Sequence, residues 1–182
     1  MRLFTGIALA PNVIAKLTAT LDELRPTAHL NWTPIGNLHI TSRFIGEWPE
    51  DRLTELTTAL ETVALAGPIP VSVSRFGFFP NSHQPHSLFA GVQAGPELAQ
   101  LAGAIGSVLP PRESRPYQPH VTLARIKTGN DIRALREHIA GMTNFDFGAF
   151  RATSFHLFLS TPGDRGSVYT QLATYDLMRE KH

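Results

Sequence analysis

Apolar residues recur along this chain at two spacings, and the changes between them mark out its elements. Residues 2–9, 71–79 and 87–93 are dense in apolar side chains and read as strands. Val13, Ile14, Leu17, Leu21 and Leu24 then follow Pro11 at helical spacing, with Pro26 ending that helix. Residues 30–33 read as a short strand carrying Trp32. In 38–45 the alternation is strict: Leu38, Ile40 and Ser42 face one way, His39 and Thr41 the other, and Gly46 is expected to break the strand. Pro49-Glu50-Asp51 opens a second helix with acids at its positive end, with Leu53, Leu56, Leu60 and Val63 as its buried stripe and Gly67-Pro68 as its stop. A third helix starts at Gly95-Pro96 and runs through Leu98, Leu101, Ala102, Ile105 and Leu109. A fourth, which Asn130 can cap, runs through Ile132, Leu135 and Ile139 to Gly141. Residues 80–85 and 161–166 read as turns, 110–119 as a proline- and arginine-bearing loop, and 120–126, 145–150, 152–159 and 168–176 as strands.

An internal repeat lies beneath this order. Leu3-Phe4-Thr5-Gly6-Ile7 matches Leu88-Phe89-Ala90-Gly91-Val92, and Pro11 falls on Pro96 at the same offset. His39-Ile40-Thr41 then matches His120-Val121-Thr122, and Ser74-Arg75-Phe76 resembles Thr153-Ser154-Phe155. The pattern predicts an α+β fold of two pseudo-symmetric lobes, each an antiparallel-rich sheet with helices on its outer face, and a cleft between them. The whole chain, 1–182, is expected to form one bilobal domain, with repeats at about 2–80 and 87–160 and a closing strand at 168–176.

Composition changes this picture little. With 42% hydrophobic and 17% charged residues the chain suits a compact protein. It lacks cysteine, which excludes disulfides and thiolate chemistry and makes the cytoplasm the expected location. No apolar run approaches the roughly 20 residues needed to span a bilayer, and the first residues fit a strand better than a signal peptide. A formal net charge of +1 gives no general attraction to polyanions, so recognition of a nucleic acid would be local, in a cleft.

The chemistry centres on the paired motifs. An imidazole and a hydroxyl side by side, presented twice across a cleft, would make a four-point cage for a tetrahedral oxyanion, such as a phosphodiester held between the motifs. One neutral and one protonated histidine can divide the work of base and acid, and the two threonines can donate to non-bridging oxygens. No metal and no cofactor is required. His83 and His86 are spaced like metal ligands, but Pro85 and the turn make a solvated loop the better reading. Arg112, Arg115 and Trp32 are candidate contacts to phosphates or bases, each with a plain structural alternative, and His156, the counterpart of Gly77, is expected to face the cleft. His29, His138 and His182 carry no supporting pattern. Phosphate-binding glycine loops and nucleophile elbows are absent, which argues against NTPases and α/β-hydrolases.

Asn37-Leu38-His39-Ile40-Thr41-Ser42-Arg43-Phe44 and Pro119-His120-Val121-Thr122-Leu123-Ala124-Arg125 resemble the paired HxT motifs of the 2H phosphoesterase superfamily, and most closely its RNA 2′,3′-cyclic phosphodiesterase group, also called ThpR/LigT-type or 2′-5′ RNA ligase-like proteins. The resemblance spans nearly the whole chain. It implies His39 and His120 as catalytic residues, Thr41 and Thr122 on the phosphate, and Phe44 and Arg125, five past each histidine, near the nucleotide. It implies hydrolysis of an RNA terminal 2′,3′-cyclic phosphate to a 2′-phosphate, with reversible 2′-5′ ligation as a companion activity. The partner is then an RNA with a 2′,3′-cyclic phosphate end, or a cyclic nucleotide, met by a monomer that does not engage a membrane. Ser42 departs from the family, which usually has an apolar residue there, and strand parity puts Phe44 and Arg125 on the wrong face unless a bulge intervenes. A non-catalytic RNA-binding protein of the same fold, or a 2H enzyme for another cyclic or 2′-5′ linked nucleotide, are the competing readings.

Overall fold

The computed structural model describes residues 1–63, 67–112 and 115–177; His182 and two residues within the 110–119 loop lie outside these. In chain order the elements are β1 (Arg2–Ala8), α1 (Pro11–Leu24), β2 (Asn31–Trp32), β3 (His39–Glu47), α2 (Leu53–Glu61), β4 (Ile69–Phe79), β5 (Ser87–Ala94), α3 (Pro96–Ser107), β6 (His120–Arg125), α4 (Arg133–Gly141), β7 (Asp146–Ala152), β8 (Ser154–Gly163) and β9 (Gly166–Asp176). The strands form two antiparallel sheets, β3-β1-β8-β9 and β2-β6-β5-β4-β7, so the α+β expectation holds.

The sheets do not divide the chain at its middle. β4 belongs to the first half but pairs with β5, while β8 from the second half pairs with β1. Adjacency in sequence explains this, because β4 and β5 are joined by a short turn and close as a hairpin. The helices cross over as well. α1 packs on β7, where Asn12 donates to the carbonyl of Ala149 at 3.0 Å. α3 packs on β3, and Tyr175 of β9 reaches the Thr57 carbonyl of α2 at 3.5 Å. Each sheet is therefore completed by the other half of the chain.

One continuous core joins these layers. Val13, Leu17, Leu21 and Leu24 bury the stripe of α1, and Leu98, Leu101, Ala102 and Ile105 that of α3. Behind the motif strands lie Ile40, Val121 and Leu123, all fully buried. Each such side chain stabilises the fold by about 1.5–3 kcal/mol, which fixes the strand faces and so the direction of the residues between them.

Two local expectations need correction. β3 does not end at Gly46 but runs through it to Glu47, because glycine accepts the φ of 80° that the chain needs there. Asn130 does not cap α4. Its side-chain oxygen accepts from the Lys127 N–H at 2.7 Å and closes the preceding turn, and Asp131 accepts from Arg133 instead.

Candidate active site

His39 and Thr41 stand half-buried on one face of β3, with Leu38, Ile40 and Ser42 buried on the other. β6 repeats this, with His120 and Thr122 on the open face and Val121 and Leu123 behind. The two motif strands lie against each other although they belong to different sheets. Tyr117 ties them, donating its hydroxyl to the Thr41 carbonyl at 2.8 Å from the loop that leads into β6. Burial raises the Tyr117 pKa, which keeps that phenol a donor.

The two imidazoles are held in the same way. His39 Nδ1 meets the carbonyl of Asn37 at 2.7 Å, and His120 Nδ1 meets that of Gln118 at 2.7 Å. A carbonyl only accepts, so Nδ1 carries the proton in both rings and Nε2 is the atom that gains or gives one. At His39 that Nε2 accepts from the Thr41 hydroxyl at 2.8 Å. Asn37 is itself anchored, donating to the Ser167 carbonyl at the end of the β8–β9 hairpin at 2.7 Å.

Aromatic rings surround each histidine. Phe4 lies 4.9 Å from the His39 ring, Phe158 6.2 Å and Tyr169 5.3 Å. Phe79 and Phe89 lie 4.8 and 5.6 Å from His120. Phe4 and Phe89 are equivalent positions of the sequence repeat, each on the strand next to its motif. The burial these rings impose lowers the pKa of both histidines. His120 lowers that of His39 further, so the two charges are near enough to oppose each other, and Arg125 does the same to His120.

The parity conflict is resolved by bulges. Along β1, Thr5 pairs with Arg43 but Gly6 with Thr41, so Ser42 is the extra residue. Beyond it Phe44 pairs with Phe4 and returns to the face of His39 and Thr41, where it is 65% exposed. On β6, Phe89 pairs with Thr122 but Leu88 with Ala124, so Leu123 is skipped and Arg125 joins the face of Thr122. The register thus brings His39, Thr41 and Phe44 together on one sheet and His120, Thr122 and Arg125 on the other. The serine that departs from the family pattern sits at the first bulge, and its hydroxyl pairs with that of Thr5 at 2.8 Å, so neither buried group is left unsatisfied.

The remaining candidates fall away from this face. Trp32 pairs with Ala124 on the core side and donates its indole N–H to the Ala28 carbonyl at 3.1 Å, which makes it a packing residue. His83 and His86 are exposed, and among the described residues no cluster of three or more His, Asp or Glu side chains is placed to hold a metal. The Arg112 guanidinium lies against Gly46. Phe4, Phe79, Phe89, Phe158 and Tyr169 were not among the candidates. The Leu-Phe-x-Gly repeat held the signal for two of them, because its phenylalanine lies two residues from the glycine on the same strand face.

A sequence profile described as the 2′-5′ RNA ligase superfamily matches residues 8–163. An Archaeoglobus fulgidus protein named RNA 2′,3′-cyclic phosphodiesterase is 27% identical over 179 residues, covering 97% of this chain and 100% of its own. A Thermus thermophilus protein of the same name is 33% identical over 140 residues, covering 70% of this chain and 69% of its own. A crystal structure of a Thermus thermophilus protein superposes over 100% of both chains with a TM-score of 0.82 at 27% identity. The chain belongs to the 2′-5′ RNA ligase superfamily, whose paired HxT motifs place it among the 2H phosphoesterases.

Proposed function

We propose that this protein is an RNA 2′,3′-cyclic phosphodiesterase, a hydrolase that opens a terminal 2′,3′-cyclic phosphate to a 2′-phosphate. The relatives above carry that name. The observation that carries the reading is the pair of HxT motifs on facing strands, each with Nδ1 locked to a backbone carbonyl and Nε2 left for proton transfer.

The cyclic phosphate sits between the motifs. One histidine takes a proton from water through Nε2 as the water oxygen bonds to phosphorus, and the other protonates O3′ as the P–O3′ bond breaks. The products are a 2′-phosphate and a free 3′-hydroxyl. In-line displacement places entering and leaving oxygens on opposite sides of phosphorus, which matches two imidazoles on opposite sides of a cleft. Thr41 and Thr122 donate to the non-bridging oxygens, for which the Thr41 hydroxyl turns away from His39. Phe44 stacks on a base of the terminal nucleotide, and Arg125 holds it as a cation. With a 5′-hydroxyl in place of water the same steps form a 2′-5′ linkage, the reversible ligation of the family name. The whole chain acts as one bilobal unit and as a monomer. Its cysteine-free sequence suits the cytoplasm, and among the described residues no helix is long and apolar enough to cross a membrane.

The reading is tested with 2′,3′-cyclic AMP and with an RNA ending in a 2′,3′-cyclic phosphate, both in EDTA, with phosphorus NMR of the product. It expects a 2′-phosphate at undiminished rate without divalent metal. Binding of either compound without turnover points instead to a non-catalytic member of the fold.

A further inference from the structure

His156 lies outside the motifs yet on their face. Gly6 of β1 pairs with Thr41 on one side and His156 on the other, and His156 pairs in turn with Thr174 of β9. Paired residues share a sheet face, so Thr41, Gly6, His156 and Thr174 form one row across the cleft side, with Phe155 and Leu157 buried behind. A bulge at Leu172 puts Gln171 opposite Phe158 on this same face. The polar groups are linked: Gln171 Nε2 donates to Thr174 Oγ1 at 2.9 Å, and Thr174 Oγ1 meets His156 Nδ1 at 2.9 Å. The Thr174 hydroxyl keeps its one proton available for Nδ1, and in that tautomer Nε2 of the neutral ring is an N–H donor, as it is in the protonated ring.

The second sheet has no equivalent. At the repeat counterpart Gly77, an added Cβ would stand 2.1 Å from the Phe89 ring, so no side chain can project there. The pseudo-symmetry of the cleft is broken here, with a donor on one side and a phenyl ring on the other. Phe158 neighbours both imidazoles of the first sheet, 6.2 Å from His39 and 5.8 Å from His156. One apolar ring therefore borders both the phosphate-handling imidazole and a second imidazole on the same face. An RNA whose terminal phosphate lies at His39 and whose terminal base lies at Phe44 therefore meets a second donor, His156, on the same sheet face.

We propose that His156, held by Thr174 and Gln171, binds the phosphodiester immediately 5′ of the terminal nucleotide, so that the RNA chain leaves the active site across the first sheet. This rests on the cyclic phosphodiesterase reading and adds to it a subsite that favours an RNA end over a mononucleotide. Arg125, on the second sheet, is left to the terminal nucleotide.

The test compares 2′,3′-cyclic AMP, the dinucleotide ApA ending in a 2′,3′-cyclic phosphate, and that dinucleotide with a neutral methylphosphonate as its internal linkage. In the wild-type protein the methylphosphonate raises KM about tenfold or more, the range for losing a hydrogen bond to a charged group, and leaves kcat nearly unchanged. In His156→Ala that penalty disappears, and in His156→Gln, which keeps a donor, part of it returns. The subsite is overturned if the wild-type protein ignores the methylphosphonate, if His156→Ala keeps the penalty, if it slows cyclic AMP as much as the dinucleotide, or if the penalty is lost in Arg125→Ala instead. Absence of turnover of all three substrates by the wild-type protein overturns the phosphodiesterase reading, and this one with it. Turnover of all three without a methylphosphonate effect overturns the subsite alone.

Discussion

Replacing His39 or His120 by alanine lowers kcat on a 2′,3′-cyclic phosphate by about 10²–10⁴-fold, the range for one general acid or base. Under the proposed mechanism each ring carries one of the two proton transfers through Nε2, and nothing else on its strand can replace it. Thr41 and Thr122 do not titrate, and the aromatic rings beside the histidines have no exchangeable proton at that point apart from Tyr169. The fold should survive both changes, because the core residues of these strands point the other way. Thermal melts of the variants therefore stay close to the wild type while the rates collapse. Normal melting together with near-normal turnover in either variant contradicts the mechanism. The double variant falls little further than the worse single one, since two groups acting in a single displacement are not additive.

The second large effect comes from the threonines. Thr41→Val or Thr122→Val keeps the shape and removes the hydroxyl, and each is expected to lower kcat by about 10²-fold, at the lower end of what one oxyanion donor contributes. The two are not equivalent. Thr41 also donates to His39 Nε2 in the free protein, so Thr41→Val frees that nitrogen and raises the His39 pKa, an effect readable by proton NMR of the ring. Thr122→Val leaves His39 unchanged. Rates within twofold of wild type in both variants would mean that the phosphate is held by other groups, for which Arg125 is the nearest candidate.

Much of this site was legible in the sequence because strand alternation is a local property. Ile40 and Val121 can be buried only if His39, Thr41, His120 and Thr122 face the opposite way, and the repeat supplies two such strands, which the fold brings against each other. Period-2 reasoning fails where the backbone adds a residue. Ser42, Leu123 and Leu172 are such positions, and none carries a sequence mark that separates a bulge from a regular strand. The placement of Phe44, Arg125 and Gln171 therefore needed three-dimensional pairing. The exchange of β4 and β8 between sheets was hidden for a different reason, since a strand's partner depends on which hairpin closes first in space, not on its own pattern. Tyr169 was invisible because its contact with His39 depends on the β8–β9 hairpin reaching Asn37 through Ser167.

The central claim, that two desolvated histidines divide acid and base work, is tested most directly by the pH dependence of kcat/KM on 2′,3′-cyclic AMP, which reports the free enzyme. Burial lowers both pKa values below the ordinary 6.5 or so. The rate rises with pH as the base loses its proton and falls as the acid loses its own. The account predicts a bell whose maximum lies on the acid side of about 6.5, with both limbs belonging to the coupled pair. A profile that rises to a plateau, or a maximum well above neutrality, would contradict it.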